Sequence, residues 1–452
     1  MNVNKKIKID YIVLLVMVIL IFIMQIFLTQ NIIVIIGMIL VVYSLLSSEK
    51  NVLYLMMILI PNSENMKMIG TMSIPMVIVI ACFFKSVLKI VLSKKIKLKE
   101  WIIVFIVLLL YSLATISILG NNEQLILTVK FLMYLSFVES AFEDYKRREV
   151  KLKDIYSNQI RALSIGLIIS TICTILTNRS VNAFGRFSFG ENSTINTIGI
   201  QCAIVVIGLI YNYIIKNSKK VDAVLIIFNI LIIIFTMSRT AMIMIALGII
   251  LFIILTLIKK ENVRMIVFTT LIGLILGTAC FVSPTVKQYS KKIINRFQAD
   301  DISNGRYILW EKTVEQMSNS NKRIMFGVGD YKIIGATYNK SETILVAHNF
   351  ILEIWVIYGI IGIFILSALI IHFVKDVFYE YTKHNIFITG NLYNFVPMLV
   401  FFAGSFYSHH FIGKPSFILF ILSLIPAFLK NDKEKEKIII LGEKSEKKDY
   451  GL

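Results

Sequence analysis

The chain has 452 residues, of which 57% are hydrophobic and only 17% charged, whereas soluble domains hold about 25% charged residues. That balance excludes a soluble enzyme, a secreted disulfide scaffold and a nucleic-acid binder, and it marks a polytopic membrane protein. The formal charge of +19 then reads as Lys and Arg retained in cytoplasmic loops, not as a nucleic-acid surface.

In chain order, Lys5, Lys6 and Lys8 precede the apolar run 11–28, which has no small-residue cleavage site. It is read as an uncleaved first span. Further candidates follow near 32–46, 52–60, 74–92, 101–119, 125–142, 163–177, 195–215, 221–236, 241–258, 265–282, 347–373, 386–404 and 416–429. The runs 32–46, 52–60 and 221–236 are short, so the expected fold is all-α and polytopic with about 12–14 transmembrane helices. Cys82, Cys173, Cys202 and Cys280 fall within or at the ends of apolar runs without metal or CxxC spacing. They are expected to be small hydrophobes.

With the N-terminus placed inside, the cytoplasmic segments carry 29 Lys and Arg and the short outer segments carry 5. The positive-inside rule therefore puts both termini in the cytoplasm. Residues 283–346 form one large outer loop with ten basic and six acidic side chains. Asn304-Gly305 makes a turn, and Ile308, Leu309, Thr313 and Met317 recur near helical spacing over Arg306–Met317. A small extracytoplasmic cap with one or two amphipathic helices is expected. Four regions result: helices over 1–282, the loop 283–346, helices over 347–429 and a solvated cytoplasmic tail over 430–452.

The cytoplasmic side offers no phosphate loop and no dinucleotide turn. On the outer side the polar candidates are Arg179, Arg186, Arg239, Arg306, His348 and Asn349, with His409 and His410 in the last outer loop. Arg239 stands between two apolar runs with Ser238 and Thr240 as its polar company. An arginine so close to hydrocarbon either faces an anion or cavity, where its planar fork suits phosphate, or snorkels to the interface as an anchor. His348 precedes a long span; it either accepts a proton from a hydroxyl or serves the fold. His409 and His410 lack a third ligand at a fixed spacing, so no metal site is expected.

Several segments together resemble one family. Phe326-Gly327-Val328-Gly329, then His348-Asn349-x-x-Leu352-Glu353 and Gly359-x-x-Gly362, look like the hallmark loop of the bacterial O-antigen polymerase and ligase superfamily, and Gly305-Arg306-x-x-x-Trp310 resembles its start. Ser238-Arg239-Thr240-Ala241 is similar to the family's Ser-Arg-small-Ala signature, and Gly185-Arg186-Phe187-Ser188 with Asn196 to a more degenerate upstream element. The resemblance covers roughly residues 180–370. It implies a glycosyltransferase at the outer face of the bacterial cytoplasmic (inner) membrane, with no metal and no cofactor. The implied donor is an oligosaccharide on polyprenyl diphosphate. Arg239 and Arg306 would hold the diphosphate and His348 would assist the acceptor hydroxyl, as base or as orienting group. Arg186, Asn349 and Arg179 would contact the diphosphate or the glycan. Membrane lipid, a flippase and a chain-length regulator are the implied partners.

Two members of that class share these motifs: a repeat-unit polymerase making capsule or O-antigen, and a ligase moving finished glycan to a lipid or protein. A flippase or other transporter is the reading from a different class. Transporters gather charges and broken helices at the midplane, often in matched halves. Lys130, Glu139 and Glu353 form no symmetric set here.

Overall fold

Hydrocarbon offers no water to a backbone N–H or C=O, so each apolar run must satisfy its own polar groups, and a helix does this within the segment. The computed structural model describes residues 3–93, 99–179, 187–189, 195–215, 217–259, 291, 306–330, 332–338, 341–382, 392–406 and 414–429. The helices are α1 (Val3–Phe27), α2 (Gln30–Leu46), α3 (Glu49–Leu59), α4 (Ile74–Ser93), α5 (Glu100–Leu119), α6 (Glu123–Arg147), α7 (Leu152–Leu176) and α8 (Ile195–Ile214). They continue as α9 (Lys220–Thr236), α10 (Arg239–Lys259), α11 (Arg306–Ser318), α12 (Asn321–Phe326), α13 (Phe350–Thr382), α14 (Val396–Ser405) and α15 (Ser416–Leu424). Seven of these, α4 to α8, α10 and α13, are long and apolar enough to cross a membrane. Shorter apolar helices occur at Ile12–Phe27, Gln30–Leu46, Leu392–Ser405 and Ser416–Phe428. The chain is an all-α polytopic membrane protein.

Helix α8 is the centre of the bundle, with Ile198, Cys202, Val205, Leu209 and Tyr211 all buried. Helix α5 is peripheral and turns Ile103, Ile106, Val107, Leu110 and Leu113 outward, the surface that lipid would cover.

The helix ends sort into two groups. At one end Lys85 donates to Ser47 O at 2.5 Å and pairs with Glu49, and Lys89 also binds Glu49. Lys99 bonds Glu139 and Glu143 at the same end, where Lys375 and His372 meet Glu100. We call this the basic end. The other end gathers the connections 60–73, 119–123 and 236–239 and the described parts of two more, 177–179 with 187–189 and 306–330 with 332–338 and 341–350. Gln30 donates to Met68 O, Asn65 to Phe189 O and Asn121 to Val328 O there.

Two departures from expectation have physical causes. The span expected at 163–177 is the second half of a 25-residue helix beginning at Leu152. The basic stretch before it reads as a loop because Arg161 breaks the apolar run. In the fold Arg161 is 9% exposed and grips Asp222 of α9 through Nε and Nη2 at 2.7 and 2.8 Å. Its Nη2 also reaches Asn217 O at 2.8 Å, and Asp222 accepts the Lys219 N–H that opens α9. A buried charge is tolerable when paired and hydrogen-bonded in this way.

The large loop holds two helices, α11 and α12, where one or two were expected, and also an antiparallel hairpin, β3 (Lys332–Tyr338) with β4 (Ser341–Val346). Ile333, Ile334, Ile344 and Val346 supply the β-branched character that strands favour. The register shifts between Ile334 and Ala336, so Gly335 marks a bulge. A smaller hairpin, β1 (Lys67–Ile69) with β2 (Met72–Ser73), closes the α3–α4 connection. The expected span 265–282, the turn Asn304-Gly305, Cys280, Arg186, His409, His410 and the tail 430–452 lie outside the described residues.

Candidate active site

Helix α9 stops at Thr236 because Met237 turns left-handed (φ 50) and its N–H returns to Ile234 O. Ser238 then opens α10: its Oγ accepts the Ala241 N–H at 3.4 Å and its carbonyl accepts the Met242 N–H at 3.1 Å. The corner is clamped on α8, where a Cβ at Gly199 would lie 2.6 Å from Ser238 Cβ. Ser238 Oγ also reaches Asn196 Oδ1 at 3.5 Å, and Phe187 N–H donates to Phe235 O. Arg239 is therefore the first residue of α10 and is only 8% exposed. An anchor snorkelling into water would be open. A guanidinium beside the positive end of a helix suits an anion.

The second group of residues comes from the loop. Trp310 on α11 donates its indole N–H to Ala347 O at 2.8 Å, which ties the helix to the residue before His348. Tyr307 stands edge-on to Trp310 with centroids 5.3 Å apart, and it is exposed. Arg306 lies one turn before Trp310 on the same helix face and is half-buried. His348 is half-buried and takes φ 50, the left-handed turn that carries the chain from β4 into α13. Asn349 Oδ1 accepts the N–H groups of Ile351 and Leu352 at 3.0 and 3.3 Å, so its side-chain oxygen caps α13. Glu353, in the first turn of α13, is fully buried.

Helix α14 joins the two groups. A Cβ at its Gly404 would lie 2.6 Å from Met244 Cε on α10, while Phe406 just beyond α14 packs on Phe350 at 5.6 Å. Arg239, Arg306, His348 and Asn349 thus share one end of the bundle, opposite the basic end. Arg179 is held elsewhere. It follows the C-terminus of α7, and its Nη2 donates to Phe27 O, the last carbonyl of α1, at 3.3 Å.

No group of three or more His, Cys, Asp or Glu side chains is placed to hold a metal among the described residues. The anchoring of Trp310 to Ala347 was missed in the sequence, since nothing local to either residue signals a contact 37 positions apart.

Residues 223–367, from the first turn of α9 to the middle of α13, match the protein family described as O-Antigen ligase. No curated protein and no solved structure matches the chain. The matched stretch contains Arg239, Arg306, His348 and Asn349, and the match supports a likeness of this part of the chain to the O-antigen ligase and polymerase superfamily.

Proposed function

We propose that this chain is a polymerase that joins polyprenyl-diphosphate-linked oligosaccharide repeat units into a surface polysaccharide, capsule or O-antigen, at the outer face of the bacterial cytoplasmic membrane. The observation that carries the reading is the buried Arg239 at the α10 N-terminus, on the same bundle end as His348 and inside the family match. In the reaction, an acceptor hydroxyl attacks the anomeric carbon of the donor glycan. The bond from that carbon to the diphosphate oxygen breaks, the polyprenyl diphosphate leaves, and the configuration inverts. Charge grows on the leaving diphosphate, and the fixed donors of Arg239 and Arg306 stabilise it as it forms. His348 takes the hydroxyl proton or orients the hydroxyl. The exposed Tyr307 beside Arg306 presents an aromatic face of the kind that packs on sugar rings. A flippase supplies the donor at this face, and a chain-length regulator acts on the product.

The family description itself favours a second reading, a ligase that passes finished glycan to a lipid or protein acceptor. The size distribution of the host's surface glycan, with and without the gene, separates the two. Loss of long chains while single repeat units still reach the surface supports the polymerase. Long chains stranded on the polyprenyl carrier support the ligase. Lipid-linked units trapped on the cytoplasmic face would make the protein a transporter and overturn both.

A further inference from the structure

We propose that Tyr111 and Asn121, on and just after α5 and outside the family match, are positioning residues that hold the loop carrying Arg306 and His348 in register with the bundle. The proposal rests on the function above. Its basis is a break in α13. Gly359 has φ 64 and ψ −176 in the middle of that helix, which takes the amides of residues 360–362 away from the carbonyls of 356–358. Each of those carbonyls has a substitute donor. Val356 O accepts the Val328 N–H at 2.7 Å, and Ile357 O accepts the Gly329 N–H at 3.2 Å. Tyr358 O accepts the Tyr111 hydroxyl at 2.6 Å. A Cβ at Gly362 would lie 3.1 Å from Tyr111 Cε1, so the tyrosine stands beside the path where the helical bond from 362 to 358 would run.

The loop side of this clasp is held by α5 as well. Asn121 Nδ2 donates to Val328 O at 3.0 Å, and Trp355 Nε1 donates to Ile324 O at 3.2 Å. The approach is so close that a Cβ on Gly359 would lie 2.5 Å from Gly327 N. Behind it, Tyr358 Oη bonds Thr128 at 3.1 Å, and Thr128 bonds Ser112 at 2.9 Å.

The clasp is also where α11 rests. Met317 and Val356 form a small apolar cluster, separate from the main core, with Leu309, Val328 and Trp355 packed on it. Arg306 begins α11, and Trp310 of that helix binds Ala347 beside His348. The position of both candidate catalytic side chains therefore follows from where the 327–329 turn meets the break. The turn meets it where the Tyr111 hydroxyl and the Asn121 amide hold their ends. Misplacement of reacting groups by about 1 Å costs on the order of a hundredfold in rate.

The test uses the full chain in membranes with a lipid-linked oligosaccharide donor, comparing Tyr111→Phe, Asn121→Ala and their combination. Turnover is expected to fall by about tenfold or more while KM for the donor stays within about twofold. Folded amount and melting temperature should be little changed. Spin labels at Ser318→Cys on α11 and Glu123→Cys on α6, both exposed positions, on a chain with its native cysteines replaced by alanine, read the geometry directly. A distance distribution that broadens in the double variant supports the proposal. An unchanged distribution with unchanged turnover overturns it, as does a loss of activity that only tracks lost folded protein. A broadened distribution in a chain whose His348→Ala variant still transfers glycan would leave the clasp standing and overturn the proposed function instead.

Discussion

A guanidinium at the first position of a transmembrane helix stands at an end that is already positive. Arg239 is nonetheless 8% exposed, with Ser238 before it fully buried and spent on capping α10. In the proposed transfer Arg239 stabilises the leaving diphosphate, so Arg239→Ala should abolish glycan transfer without loss of membrane insertion. Arg239→Lys should also lose most activity, because an ammonium is a point charge and cannot offer the planar fork. His348→Ala should behave like Arg239→Ala. Transfer assayed in membranes, with folded protein quantified in parallel, checks all three, and full activity in both alanine variants would remove the site. These residues were legible in the sequence because an arginine or histidine interrupting an apolar run is visible locally. Arg161 was equally visible, yet its role was not. Its partner Asp222 lies 61 positions away, and a pairing across two helices leaves no local trace.

At the scale of elements, Asn349 is where capping and substrate contact can be told apart. Its Oδ1 serves the first amides of α13, so Asn349→Ala should cost about 1 kcal/mol, and Asn349→Asp, an equally good cap, should cost little. If the Asn349 amide nitrogen also touches substrate, Asn349→Asp will keep the melting temperature and lose transfer. Equal activity in Asn349→Asp and wild type would assign the residue to the fold alone. The helix pair α7 and α9 offers a stability test. Removing one partner of the buried Arg161–Asp222 pair strands the other charge, so Arg161→Ala should destabilise by about 3–5 kcal/mol, and replacing both by apolar residues should restore much of that. Denaturation of the purified protein in detergent reads the difference. The helices themselves were readable because hydropathy and helix length are local properties. The β3–β4 hairpin was not, because a polar loop with scattered isoleucines offers helical and strand periods together. The clasp at Gly359 was not either: the sequence shows glycines, while the contact is backbone to backbone between residues 327–329 and 356–357.

For the whole molecule, the two groups of helix ends make sidedness a single question, because every connection must fall on the side its end dictates. The basic end is held by charge. Burial alone would raise the Glu49 carboxyl, but the hydrogen bond from Lys89 and the charges of Lys85 and Lys89 outweigh it and hold the group below the usual carboxylate range. A carboxyl lowered on folding contributes stability that is complete above its unfolded value of about 4.3 and is lost as pH falls through the folded value. Melting temperature should therefore drop on acidification below about pH 4, and Glu49→Gln should flatten that part of the profile. The excess of 29 basic residues over 5 predicts that this end faces the cytoplasm. Cysteines introduced singly at Asn122 and Ser318, exposed at the site end, should react with a membrane-impermeant thiol reagent in intact cells. One at Arg147, exposed at the end of α6 on the basic side, should react only after the membrane is opened. The reverse pattern would put Arg239 and His348 in the cytoplasm, where a donor would not need to cross the membrane first, and an outer-face polymerase would be excluded.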